Sequence, residues 1–186
     1  MRQAQHHGLI DGAPVVFARN RLVLIVPGSN TAGIRTLADL AHPGVKVVLG
    51  HDNVPIGQYA RQVLERASRD PAYGPDFAQR VLANLVSEEV NVKQVVAKIQ
   101  LGEADAALVY ATDVTPALRQ QVTVIELPAP VNVTTCYPIA VVAGAADQAL
   151  ARTFIDHVRS PEGQAVLERY GFRPVGEETV PVEACE

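Results

Sequence analysis

Apolar residues follow two rhythms along this chain. Short continuous runs rich in β-branched residues predict strands at PVVFA (14–18), RLVLIVP (21–27), VKVVL (45–49), AALVY (106–110), VTVIELP (122–128) and CYPIAVVAG (136–144). Between them the spacing lengthens to three and four. Ile56, Tyr59, Ala60, Val63, Leu64 and Ala67 share one helical face and predict a helix over 56–69. Val92, Val95, Val96 and Ile99 make a second stripe, closed by Gly102. After the breaker RDPAYGPD (69–76), Phe77, Val81 and Leu82 predict a short helix with these three inward. Two helices close the pattern, over 146–159 and 161–170, the second entered through Ser160-Pro161. Residues 1–8 read as a helix end stopped by Gly8, and Thr36 with Asp39 reads as a capping box. Strands alternate with helices, so the fold class is α/β with mixed sheets.

Composition narrows this picture. A length of 186 residues fits one large domain or two small lobes, and 48% hydrophobic with 19% charged residues supports a packed core. The net charge of −4 argues against a nucleic-acid partner, but not against a small anion held by local dipoles. No apolar run reaches the length of a membrane span, and MRQAQHHGLIDG carries no apolar leader segment. Cys136 and Cys185 lie far apart without metal-binding spacing, and free thiols are the preferred reading over a disulfide.

Three places carry candidate chemistry. The helix after VKVVLG opens on Pro55-Ile56-Gly57, with no Ser, Thr or Asp to cap it. A helix start offers unpaired N–H groups and a partial positive charge, which suits an anion, and Gly57 would let a ligand approach the backbone. The helix starting at Asn91-Val92, behind the acidic pair Glu88-Glu89, repeats the arrangement. Tyr110 ends a buried strand, where open α/β sheets place ligands, and its hydroxyl can donate to an oxyanion. Each also has a plain structural reading: a hydrated helix entry, an acidic pair offsetting a dipole, a half-buried tyrosine. His51-Asp52 reads as loop surface. The remaining histidines are scattered, and no nucleophile elbow, phosphate loop or dinucleotide fingerprint appears, so the chain does not read as an enzyme and implies no cofactor.

The order GHDNVPIGQYARQVL, EEVNVKQVVAKIQLGEADAALVYATDV, YPIAVV and FIDHVRSPEGQAVLERYGF resembles the molybdate-binding proteins of ABC transporters, over residues 1 to 175 or so. The resemblance implies a periplasmic or surface-attached solute-binding protein of the type II, two-lobed hinged kind that delivers molybdate or tungstate to a membrane permease. It places the oxyanion between lobes, on the N–H of Ile56, the N–H of Val92 and the hydroxyl of Tyr110, with Pro55, Gly57 and Asn91 as weaker candidates. It implies a complete second lobe over 28–127 and a first lobe represented by 1–27 and 128–186. Family members open with a leader and two serine-bearing loops that this chain does not show. The resemblance therefore implies weakened binding, and an exposed sheet edge that a homodimer would cover. Competing readings are a sensory effector domain of a regulator and a non-binding remnant.

Overall fold

A computed structural model describes residues 1–175. In chain order the elements are the helix α1 (Arg2–His6), the strand β1 (Ile10–Pro27), a 3-10 turn (Leu37–Ala41), β2 (Val47–Gly50), α2 (Pro55–Arg69), α3 (Phe77–Ala83) and β3 (Leu85–Glu89). They continue with α4 (Val92–Gln100), β4 (Ala106–Tyr110), a second 3-10 turn (Ala111–Asp113), α5 (Pro116–Arg119), β5 (Val122–Glu126), β6 (Thr134–Val142), α6 (Gln148–Arg159) and α7 (Pro161–Arg169).

Packing divides the chain into two units. One is residues 21–133; the other is residues 1–20 with the chain from 134 onward. In the 21–133 unit the strands lie in the order β3-β2-β4-β1-β5. β2 runs parallel to both β3 and β4. β1 runs antiparallel to β4 and β5, with Leu24 opposite Leu108 on one side and Ile125 on the other. The two-residue period sorts side chains to the two faces. Leu22, Leu24, Val26, Val47, Leu49 and Leu108 enter one core with Ile56, Val63 and Leu64 of α2 and Phe77 and Val81 of α3. Val23, Ile25, Val48, Ala107 and Val109 enter the other with Val95 and Ile99 of α4 and Leu118 of α5. Because both faces are covered, Leu22–Val26 is buried without interruption, which is why the sequence reads there as a solid apolar run.

In the other unit β6 pairs with β1. Gln164 of α7 is buried with its amide satisfied, donating to the carbonyls of Phe17 and Val158 at 2.9 Å each and accepting from the Val175 N–H at 2.9 Å. Helix α6 buries no residue completely, and its Leu150 and Phe154 are 65% and 59% exposed. Cys136 is part of a disulfide rather than a free thiol, against the sequence expectation; Cys185 lies outside the described residues.

Several sequence readings need adjustment. PVVFA and RLVLIVP belong to one 18-residue strand. The polar Asn20 between them is no turn: it is fully buried, and its Nδ2 donates to the Tyr137 hydroxyl at 3.3 Å. The expected capping box at Thr36 and Asp39 is present, but it heads a 3-10 turn. LVSEE forms the parallel strand β3, whose alternating exposure and charged residues hid it from a search for apolar runs. In α3, Phe77 and Val81 are buried one turn apart, whereas Leu82 is 38% exposed because so short a helix presents only one narrow face.

Candidate functional site

The three parallel strands β3, β2 and β4 are neighbours and point the same way, so their C-terminal ends share one edge of the sheet. Each end leads directly into a candidate segment. β2 passes through residues 51–54 into α2, whose first residues are Pro55, Ile56 and Gly57. β3 passes through Val90 into Asn91 and Val92, where α4 starts. β4 ends on Tyr110 itself. Segments spread over about fifty-five residues of sequence thus meet at one edge, where open α/β sheets present ligand-binding loops.

The two helix starts suit an anion. Val54 precedes α2 without a side-chain cap, and neither α2 nor α4 has an acidic residue in its first turn. In α2 the amide of Gln58 is the first to bond back, to the Val54 carbonyl at 3.1 Å, and Pro55 has no N–H. Ile56 and Gly57 therefore supply the first donors of that helix. In α4 the side chain of Asn91 accepts from the Gln94 N–H at 3.1 Å. Asn91 is thus a helix cap whose side-chain oxygen is engaged within α4. The N–H of Val92 lies outside that cap. Ile56 is 3% exposed and Val92 packs against both cores, so the amides sit on anchored side chains. The Tyr110 ring packs against the α2-side core and meets Tyr59 of α2 edge-on, with centroids 6.3 Å apart.

Gly57 has a packing role at the junction of β2 and α2. A Cβ there would overlap the carbonyl oxygens of His51 and Gly50 and lie 2.6 Å from the His51 carbonyl carbon. Its missing side chain makes room for the β2–α2 connection. The acidic pair Glu88 and Glu89 precedes α4 as expected and lies on β3. His51 and Asp52 are paired at 2.9 Å in the exposed loop.

Two residues of this edge, Arg61 and Gly50, escaped the sequence reading. Arg61 and Glu88 form an ion pair, and Gly50 packs against Ile56 and Gly57. No local signal distinguishes Arg61 from an ordinary surface arginine of an amphipathic helix. Asp113, one turn beyond Tyr110, also went unremarked. Its Oδ2 is sealed from solvent without a hydrogen-bond partner among the described residues. It borders a cavity of about 360 Å³ with Lys93, Gln100, Thr115 and Gln121. Burial raises its pKa above the usual 3.8, against the opposing pull of the Tyr110 backbone and Lys93. A carboxyl with a raised folded pKa holds its proton more tightly folded than unfolded, so its contribution favours the fold at low pH and is lost as pH rises through the folded value. The Tm of Asp113→Asn minus that of the native chain should therefore increase from about pH 4 to about pH 7. A constant difference in a melting series would contradict this burial cost.

Among the described residues no group of three or more His, Cys, Asp or Glu side chains could hold a metal ion, and no helix is long and apolar enough to cross a membrane. Residues 1–173 match the family model of bacterial extracellular solute-binding proteins. The chain is 34% identical over 165 residues to the molybdate-binding protein ModA of Mycobacterium tuberculosis, covering 89% of this chain and 58% of that protein. It is 28% identical to a putative ABC transporter substrate-binding lipoprotein, YvgL, of Bacillus subtilis, covering 82% and 55% of the two. A solved structure, the substrate-binding domain of a putative molybdenum ABC transporter from Clostridium difficile, superimposes with a TM-score of 0.79 at 25% identity, covering 94% of this chain and 72% of that one. The chain therefore spans 58% and 55% of the length of these two curated relatives.

Proposed function

Since the chain belongs to the bacterial extracellular solute-binding protein family, a family of binding rather than catalysis, we propose that it serves in oxyanion capture for an ABC transporter. The ligand is molybdate or tungstate, the chain works outside the cytoplasm, and the receiving partner is a membrane permease. The observation that carries this reading is the meeting of two helix starts and Tyr110 at one sheet edge. The N–H groups of Ile56 and Val92 and the Tyr110 hydroxyl donate to the oxyanion. Gly57 contributes its N–H at most, Pro55 shapes the entry, and Asn91 acts through its cap. All are neutral donors, so the bound dianion is held by dipoles. Each helix end supplies about 0.3–1 kcal/mol, and each hydrogen bond to the charged ligand about 1.5–3 kcal/mol.

In this reading residues 28–127 form one lobe of a hinged pair, and 1–27 with 128–186 belong to the other. Selectivity follows from size and protonation. A cradle of donors spaced for a large tetrahedral oxyanion fits sulfate less well. Phosphate carries a proton near neutral pH and needs an acceptor. Calorimetric titration of the chain with molybdate, tungstate and sulfate tests the reading. Saturable heat for molybdate or tungstate with sulfate silent is expected; no saturable heat with any of the three overturns it for this chain.

A further inference from the structure

Arg61 stands one turn after Gly57 on α2 and reaches three elements at once. Its Nη1 donates to the Gly50 carbonyl at 3.0 Å and to the Gly57 carbonyl at 3.1 Å. Its Nη2 donates to the Glu88 carboxylate. One guanidinium thereby ties the end of β2, the first turn of α2 and the strand leading into α4. We infer that Arg61 and Glu88 are a positioning pair that sets the two helix starts relative to one another, an inference that rests on the oxyanion-binding function proposed above.

The backbone explains the need. β2 pairs with β4 only at Val47 and Val48, so that pairing has ended before the chain reaches Gly50. A carbonyl at such a strand end needs a donor from elsewhere, and Arg61 supplies one. The guanidinium is a rigid fork of donors, so two carbonyls and a carboxylate held together fix its plane and, through it, the strands and helix it touches. A lysine ammonium at the end of a flexible stem does not impose that geometry. The pair is partly buried, with side-chain exposures of 24% for Arg61 and 35% for Glu88. Its charges offset each other, so the arginine serves as a brace and not as a counter-ion for the bound anion.

Position and charge predict different outcomes. If Arg61 acted by its charge, Arg61→Met would weaken oxyanion binding and Glu88→Ala would strengthen it. If the pair positions the helix starts, both substitutions weaken molybdate binding, each by about tenfold, as losses of outer-shell partners do elsewhere. Arg61→Lys should fail to restore the affinity. Amide hydrogen exchange in the ligand-free protein reads the brace directly. The N–H groups of His51, Val54 and Gln58 bond to the carbonyls of Glu89, His51 and Val54 at 2.8, 3.1 and 3.1 Å. These three should exchange faster in both variants, while amides of β1 and β5 keep their native rates. Opposite shifts in affinity, full rescue by lysine, unchanged exchange at the three amides, or uniformly faster exchange would each overturn the inference. Selectively faster exchange in a chain whose native form binds no oxyanion would support the brace and reject the functional reading alone. Glu88→Ala keeps the test available should Arg61→Met not fold.

Discussion

Gly57→Ala is expected to destabilise the protein and abolish oxyanion binding, although it improves helix propensity. In an exposed helix interior this change gains about 0.8–1 kcal/mol. Here the new methyl group enters the space of the His51 and Gly50 carbonyl oxygens, with the His51 carbonyl carbon at 2.6 Å. These are backbone atoms at the junction of β2 and α2, and they cannot swing aside as the tip of a side chain does. Overpacking of this kind costs about 1–3 kcal/mol and more where backbone must move, which exceeds the propensity gain. At about 2–4 °C per kcal/mol for a chain of this size, Tm should fall by several degrees. Ile56 adjoins the displaced segment, so its amide moves with it and the titration with molybdate should go silent. A Tm at or above that of the native protein would show that α2 does not pack this closely on β2.

The second large effect is expected from Val92→Pro. Proline is well suited to the first position of a helix, where its fixed φ is already helical and its missing N–H leaves no intrahelical bond unmade. Asn91 before it has φ −157° and ψ 160°, the extended conformation that a following proline requires. The Asn91 cap on the Gln94 amide does not involve the Val92 N–H. The substitution therefore deletes one donor and leaves the helix in place. Removal of one hydrogen bond to a charged ligand, about 1.5–3 kcal/mol, corresponds to a loss of about ten- to a hundredfold in affinity. Val92→Ala, which trims the packing but keeps the N–H, should stay close to the native affinity. Equal loss in both variants would assign the effect to packing, and no loss in Val92→Pro would remove this amide from the site.

Much of this architecture is legible along the chain because the signals are local. The stripe from Ile56 to Ala67 is a property of spacing, and it lies on α2 with Ile56, Ala60, Val63, Leu64 and Ala67 buried. The absence of a capping side chain before Pro55 is visible in four residues. AALVY reads as a strand because its first four residues are buried between two helical layers, which demands an unbroken apolar run. Where the demand is weaker the signal fades. β3 exposes alternate residues, so LVSEE looks like a loop. Asn20 looks like a strand breaker because its hydrogen-bond partner, the Tyr137 hydroxyl, is 117 residues away.

The sequence alone determined the α/β class, the two helix starts, the first of them without a capping side chain, and the tyrosine at a strand end, since each follows from residue type and period within a few positions. Only the tertiary structure decided that these features meet. Strand order places β3, β2 and β4 side by side with their ends together, and order is set by how two cores fill, which no single segment encodes. Close packing likewise decided that Gly57 makes room for a carbonyl and that Arg61 braces two helix starts, because contacts between distant residues depend on distances that spacing along a chain does not contain.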